Sequence, residues 1–207
     1  MLAEIEAQLY SPYGVTMFAP PYTEMRVDVG RVTQKHPGSA ENGAVYNHAA
    51  IVFIYSPYAV GEGGRAYHLL RQMIPGPDPA DLVQRGQLPV FIPNYYRGAH
   101  QQYPRTAGRS SQLFNTGTVS WVYRCIIEGL CGFKGDAQGL SIAPDMPAGW
   151  DSMQVERSFR GALLKFSIRR ADVDAPEAWH AGARLAQERV DNVVAGTTYG
   201  IEVLVPR

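Results

Sequence analysis

Apolar side chains change their spacing once along this chain, and that change limits the folds open to it. Val119, Val122, Tyr123, Ile126, Ile127 and Leu130 recur at i, i+3, i+4, i+7, i+8 and i+11, the stripe of one helix face. Beyond residue 150 the period drops to two. Met153, Val155, Arg157 and Phe159 alternate with polar neighbours, Gly161 supplies a turn, and Ala162, Leu164, Phe166 and Ile168 alternate on the far side. That pattern predicts a β-hairpin. Gly139 to Pro144 reads as a further strand, and Ile201, Val203 and Val205 as the last one. Helices therefore come first and strands second, which predicts two packed units rather than βαβ repeats, with the boundary near residue 136.

The helical half is read from breakers and periodicity. A short helix is expected over Leu2 to Leu9, then turns at Ser11-Pro12-Tyr13-Gly14, Pro20-Pro21 and Gly38 to Gly43. Helical character returns from Ala44 to about Tyr58, nearly all apolar, as in a helix buried inside something large. A second helix over Gly63 to Ile74 follows a short loop and would lie antiparallel to it. Pro75, Pro77 and Pro79 end it, and a long loop containing NYYRG and YPRTAGRSSQLF is expected up to about Gln112. Loops of that length in a compact domain are usually functional. Asn115 or Thr116 is the expected N-cap of the next helix and Gly132 its C-cap. A near all-apolar helix with so few companions implies helices upstream of residue 1, so the chain is expected to be a fragment or a truncated reading frame.

Composition excludes several function classes. Hydrophobic residues make up 45% of the 207, and 19 basic residues balance 19 acidic ones. The chain is too apolar for disorder, and a neutral balance gives no electrostatic case for nucleic acid or an anionic membrane. No segment is long enough to span a bilayer, and residues 1–14 lack a basic start followed by an apolar run. Cys125 and Cys131 form neither a CxxC pair nor a zinc half-site. With no disulfide framework and no HxxxH or HExxH spacing, a cytoplasmic protein with no metal and no cofactor is expected.

Three constellations carry candidate chemistry. Asn115-Thr116-Gly117-Thr118 heads the clearest helix. Free backbone N–H groups, a glycine that permits close approach and two threonine hydroxyls would suit phosphate there, but taken alone the tetrapeptide reads first as an ordinary cap, since Thr and Gly are common at caps. His48, in Tyr46-Asn47-His48, would join such a site only if it faced the same cavity. Arg31 and Lys35, at i and i+4, could hold a carboxylate or phosphate, or be solvated charges on a turn. Glu41 could cap the helix that follows or bind sugar hydroxyls.

ENGAVYNH (Glu41 to His48), FNTGTVSWVYR (Phe114 to Arg124) and IAPDMPAGWDSMQVERSFRGA (Ile142 to Ala162), in this order, resemble glycoside hydrolase family 94. The resemblance covers most of the chain and fades after about Ala171. It implies that residues 1–135 are the terminal helices of an (α/α)6 barrel catalytic domain, followed over 136–207 by a C-terminal antiparallel β-sandwich. It also implies inverting phosphorolysis of a β-glucoside to α-glucose 1-phosphate. The family's phosphate-binding histidine and threonine-glycine pair match His48, Thr116 and Gly117. Its remaining phosphate-binding arginines and its general acid match no segment here, so no catalytic residue is expected in the chain, which alone would be inactive. Where members acting on neutral disaccharides look acidic or polar, this chain has Arg31 and Lys35. With Glu41 these would bind the acceptor, and an aldonate such as the gluconate half of cellobionic acid would suit the two cations. A neutral acceptor, or an inactive sugar- or phosphate-binding piece, is the alternative. Family members are commonly homodimers.

Overall fold

A computed structural model describes residues 2–87, 91–114 and 116–207. The chain mixes α and β structure and divides into two compact units, Met1–Pro57 with Arg65–Tyr123, and Tyr58–Gly64 with Arg124–Arg207.

The first unit begins with α1 (Leu2–Leu9), as the sequence predicts, and a tight hairpin of β1 (Tyr10–Ser11) and β2 (Gly14–Val15) around the Pro12-Tyr13 turn. A long irregular stretch follows, with a single 3-10 turn at Arg31–Gln34. Buried Asn42 ties this stretch together. Its amide donates to the carbonyls of Tyr22 (2.9 Å) and Lys35 (2.8 Å), and its carbonyl accepts from the Tyr22 backbone N–H (2.9 Å).

The helix expected from Ala44 starts later. Val45–Tyr46 form β3, because a β-branched and an aromatic residue here find a strand partner, and α2 spans Asn47–Ala59. Nor is α2 buried all round within this chain. Asn47, Ala50, Ile51, Ile54 and Pro57 are buried, whereas Ala49, Val52 and Ala59 are exposed. Next comes α3 (Gly63–Met73).

The expected long loop holds more structure than its prolines suggest. Pro79 opens a helix instead of breaking one. α4 (Pro79–Arg85) has Asp78 as N-cap, accepting from the Ala80 N–H at 2.9 Å, with Pro79 in the first turn, where its missing N–H costs nothing. Arg85 is buried and bonded to Asp81 at 2.8 Å. It also donates to the Gln72 carbonyl and lies 4.6 Å from the Tyr96 ring centre. Burial pushes the Tyr96 hydroxyl up to about 12, and it donates to the Met73 carbonyl at 3.0 Å.

Two more short strands, β4 (Tyr95–Tyr96) and β5 (Ser110–Ser111), complete an antiparallel sheet of order β3-β4-β5. The unit closes on α5 (Thr118–Arg124). The expected Asn115 cap lies outside the described residues. The other half of the expected helix, Cys125–Leu130, belongs to the second unit and is wound as a π-helix, closing with Cys131 N–H to Ile126 O at 2.8 Å. Gly132 follows at φ 69, as a C-terminal glycine should. Among the described residues no helix is long and apolar enough to cross a membrane.

In the second unit β6 (Phe133–Gly135) and β7 (Gly139–Ile142) form a hairpin. β8 (Ser152–Phe159) and β9 (Ala162–Ala171) form the predicted hairpin around Arg160-Gly161, both at positive φ. β10 (Glu177–His180), β11 (Ala183–Arg184), β12 (Arg189–Asp191) and β13 (Thr198–Pro206) follow. The sheets run β11-β10-β13-β9-β8 and β12-β7-β6. One pair departs from the antiparallel expectation: β13 lies parallel to β9, from Thr198↔Leu163 to Pro206↔Ala171. The intervening chain makes this possible, since it forms β10 and β11 on the far side of β13 before β13 enters the sheet.

One core draws on both sheets, with Phe133, Leu140 and Ile142 from one and Leu164, Phe166, Ile168, Ile201 and Val203 from the other. The Phe133 and Phe166 rings stack with centres 4.0 Å apart. Both cysteines are buried, and burial pushes Cys125 up to about 12 and Cys131 up to about 11.

Two predictions follow from this unit's packing and its turn at Asp136. Phe166→Ala removes one ring of the stacked pair and should lower unfolding free energy by about 3–5 kcal/mol in chemical denaturation. The Arg189 guanidinium, 2.8 Å from Asp136, together with the N–H groups of Gly139 and Gln138, holds the Asp136 carboxyl down at about 2. This carboxylate stabilises the fold above its ordinary value, and the contribution is lost as pH falls through about 2. Arg189→Met should move the Asp136 titration, followed by carboxyl carbon NMR, upward; an unmoved midpoint would refute the assignment.

Candidate functional site

The β3-β4-β5 sheet collects residues from three distant stretches at one end. Tyr46 pairs with Tyr95, and Tyr95 with Ser111. Because the pairings are antiparallel, the chain leaving β3, the chain entering β4 and the chain leaving β5 all lie at that end. These are Asn47-His48, Pro93-Asn94, and Gln112 with Thr116-Gly117.

Backbone and amide bonds pin the junction. The Asn47 N–H donates to the Asn94 carbonyl (3.0 Å), the Asn47 side-chain amide to the Pro93 carbonyl (2.8 Å), and the Asn94 N–H to the Gln112 carbonyl (3.1 Å). Asn47 and Asn94 are both buried.

On this base sit the predicted residues His48, Thr116 and Gly117. The Thr116 hydroxyl is 3.1 Å from Nδ1 of His48 and donates to Oδ1 of Asn94, also at 3.1 Å. Gly117 packs directly on the imidazole, where a Cβ would stand 2.4 Å from Nε2. That contact, rather than backbone conformation, makes glycine necessary. Tyr46 stacks on Tyr95 with ring centres 4.7 Å apart and meets the His48 ring edge-on at 6.0 Å. One sequence reading needs correction. Thr118, whose hydroxyl was expected to join that of Thr116 as a donor, is fully buried.

The other predicted residues lie on the irregular stretch. Lys35 and Glu41 form a salt bridge across the turn that buried Asn42 stabilises. Arg31 opens the 3-10 turn, is exposed and makes no ion pair among the described residues. A cavity of about 350 Å³ elsewhere in this unit, lined by Tyr10, Thr16, Phe18 and His100 among others, touches none of the six predicted residues.

Sequence reasoning missed Asn94. It opens the NYYRG segment flagged as part of a functional loop, but a lone asparagine 46 positions from His48 gives no pattern to read.

The arrangement sets the His48 imidazole beside Gly117 at the start of α5, in a cluster held by buried amides. It offers no carboxylic acid among the contacts described.

The Glycosyl hydrolase 94 superfamily, catalytic domain, matches residues 1–132. Cellobionic acid phosphorylase of Neurospora crassa is 58% identical over all of this chain and 26% of its own length. 3-O-beta-D-glucopyranosyl-beta-D-glucuronide phosphorylase of Paenibacillus borealis is 33% identical over 88% of the chain and 24% of its own length. N,N'-diacetylchitobiose phosphorylase of Vibrio proteolyticus is 28% identical over 81% and 21%. The chain thus spans about a quarter of the length of the curated relatives it matches.

Gly117→Ala tests the cluster. Its methyl group must displace the imidazole. The His48 ring resonances should shift while the fold is retained; unchanged resonances would show that the ring does not rest on Gly117.

Proposed function

Because the chain belongs to the glycosyl hydrolase 94 superfamily, we propose that it supplies the phosphate-binding and acceptor-binding residues of an inverting disaccharide phosphorylase. In the reaction, phosphate attacks the anomeric carbon of a β-glucoside as the bond to the leaving oxygen breaks. An acid protonates that oxygen, and α-glucose 1-phosphate forms with inverted configuration. An inverting hydrolase needs a second carboxylate to activate water. Phosphate is already a nucleophile and needs only to be positioned.

The observation that carries this reading is the meeting of His48, Thr116 and Gly117 in one hydrogen-bonded cluster from two distant segments. These three residues bind the phosphate. The acid is not among these residues, so the chain alone is inactive. The proposed architecture is the terminal part of an (α/α)6 barrel over 1–135 and a β-sandwich over 136–207, working in a cytoplasmic homodimer as the family resemblance implies.

The proposed acceptor is an aldonate, with cellobionic acid as the disaccharide. Two of the three relatives carry an acidic sugar in their names. Arg31, Lys35 and Glu41 together leave one positive charge, which matches one carboxylate. In this reading Glu41 holds Lys35 in place while exposed Arg31 supplies the charge-assisted hydrogen bond. The Lys35–Glu41 bridge also favours a second reading, a neutral β-glucoside acceptor, since Lys35 is already neutralised.

A chimera in which this chain replaces the matching segment of the Neurospora crassa relative separates the two. It should release phosphate from α-glucose 1-phosphate with gluconate as acceptor, whereas the chain alone should not. Arg31→Ala in the chimera should lower kcat/KM for gluconate relative to glucose by about tenfold or more. An unchanged ratio would favour the neutral acceptor, and turnover by the isolated chain would refute the missing acid.

A further inference from the structure

We propose that Asn94 is a positioning residue that fixes the proton on His48 to Nδ1 and leaves Nε2, which lies beside Gly117, without one; any pairing of that nitrogen with phosphate rests on the proposed function, the tautomer does not. The inference follows from proton counting along a three-member chain. The Thr116 hydroxyl has one proton and two neighbours, Oδ1 of Asn94 and Nδ1 of His48, each at 3.1 Å. A carbonyl oxygen only accepts, so the hydroxyl proton goes to Asn94. The hydroxyl oxygen must then accept from His48, which requires a proton on Nδ1. In the neutral ring Nε2 therefore has no proton. It is this bare nitrogen that lies against Gly117.

Asn94 is suited to the task by its own anchoring. It is 4% exposed, and its backbone is held on both sides, its carbonyl by Asn47 and its N–H by Gln112. Neither bond uses the side chain, so the amide is free to direct Thr116. Asn47, which holds Asn94, is also the residue before His48, so both ends of the relay are set from one point at the start of α2.

The bare nitrogen has a consequence for an anion. Neutral His48 can only accept there, so it pairs with a protonated phosphate oxygen, P–OH···Nε2. Alternatively the ring takes up a proton and donates Nε2–H to the dianion. The hydrogen phosphate dianion already carries one P–OH, so the first arrangement takes no proton from solvent, whereas the second takes one.

The test is long-range nitrogen–proton NMR of the 207-residue chain with labelled histidine, where pyrrole-like and pyridine-like ring nitrogens are resolved. In the neutral ring of the wild type, Nδ1 of His48 should be pyrrole-like and Nε2 pyridine-like. Asn94→Asp keeps the acceptor and should keep this pattern. Asn94→Ala frees the Thr116 hydroxyl to donate to Nδ1 and should exchange the two positions. Thr116→Val, isosteric and without a hydroxyl, removes the same constraint and serves if Asn94→Ala does not fold. A pyridine-like Nδ1 in the wild type, or an unchanged pattern in the folded variants that lose the acceptor or the hydroxyl, overturns the inference. Inorganic phosphate is then titrated in as the probe. A shift of the Nε2 resonance supports contact between this nitrogen and phosphate. No response of His48 to phosphate refutes the phosphate reading of the preceding subsection, while the tautomer alone decides the role of Asn94.

Discussion

Six residues of backbone pairing hold the candidate site together. β3, β4 and β5 contribute two residues each, and the two antiparallel registers bring residues 47–48, 93–94 and 112 to one end of the sheet, where Thr116 and Gly117 meet them. Sheet ladders are directional, so once Tyr46 lies opposite Tyr95 and Tyr95 opposite Ser111, the neighbouring residues have little freedom. Asn47 then locks the junction with one backbone and one side-chain bond to the Pro93-Asn94 peptide segment. Buried amide bonds of this kind are costly to leave unmade, which favours a single arrangement over a set of similar ones. The polar cluster thus inherits its geometry from the backbone rather than from flexible side chains.

What the sequence disclosed follows from the range of the signals. The β8-β9 hairpin was legible because its alternation and its Arg160-Gly161 turn are local, and α1 and α3 because their periodicity and breakers are local too. The small sheet was not, since two-residue strands carry no period, and Val45 and Tyr46 sit next to a helical run that absorbs them into its own pattern. α4 was hidden by its prolines: the same residue that ends a helix in its interior begins one in its first turn, and only the Asp78 cap distinguishes the cases. The parallel pairing of β13 with β9 depends on where the chain travels between residues 172 and 197, which alternation cannot express.

The site was legible in a different way. His48, Thr116 and Gly117 came from a family resemblance, and none of them stands out by spacing. Their arrangement depends on Asn94, whose partners Gln112, Thr116 and Asn47 lie 18, 22 and 47 residues away in the chain. Lys35 and Glu41 were read as separate ligand contacts, yet they bond to each other across a turn that Asn42 closes. Charge spacing along a sequence says which residues can meet only when the backbone between them is regular, and the stretch from 16 to 44 is not.

Glycine at 117 and a hydroxyl at 116 serve one physical end. An anion is held well by donors already aimed at it, and poorly by donors that must be reorganised from their bonds to water. Gly117 lets the backbone come into contact with the imidazole, so the ring cannot turn freely, and Thr116 fixes the ring's other nitrogen through buried Asn94. The ring is thereby restrained at both nitrogens before any ligand arrives. For a reaction in which the nucleophile needs position rather than activation, such restraint is the main contribution that binding residues can make. A displacement of about 1 Å in reacting groups costs on the order of a hundredfold in rate. The buried amides under the sheet therefore belong to the function as much as the side chains that would touch phosphate, because their bonds set where those side chains stand.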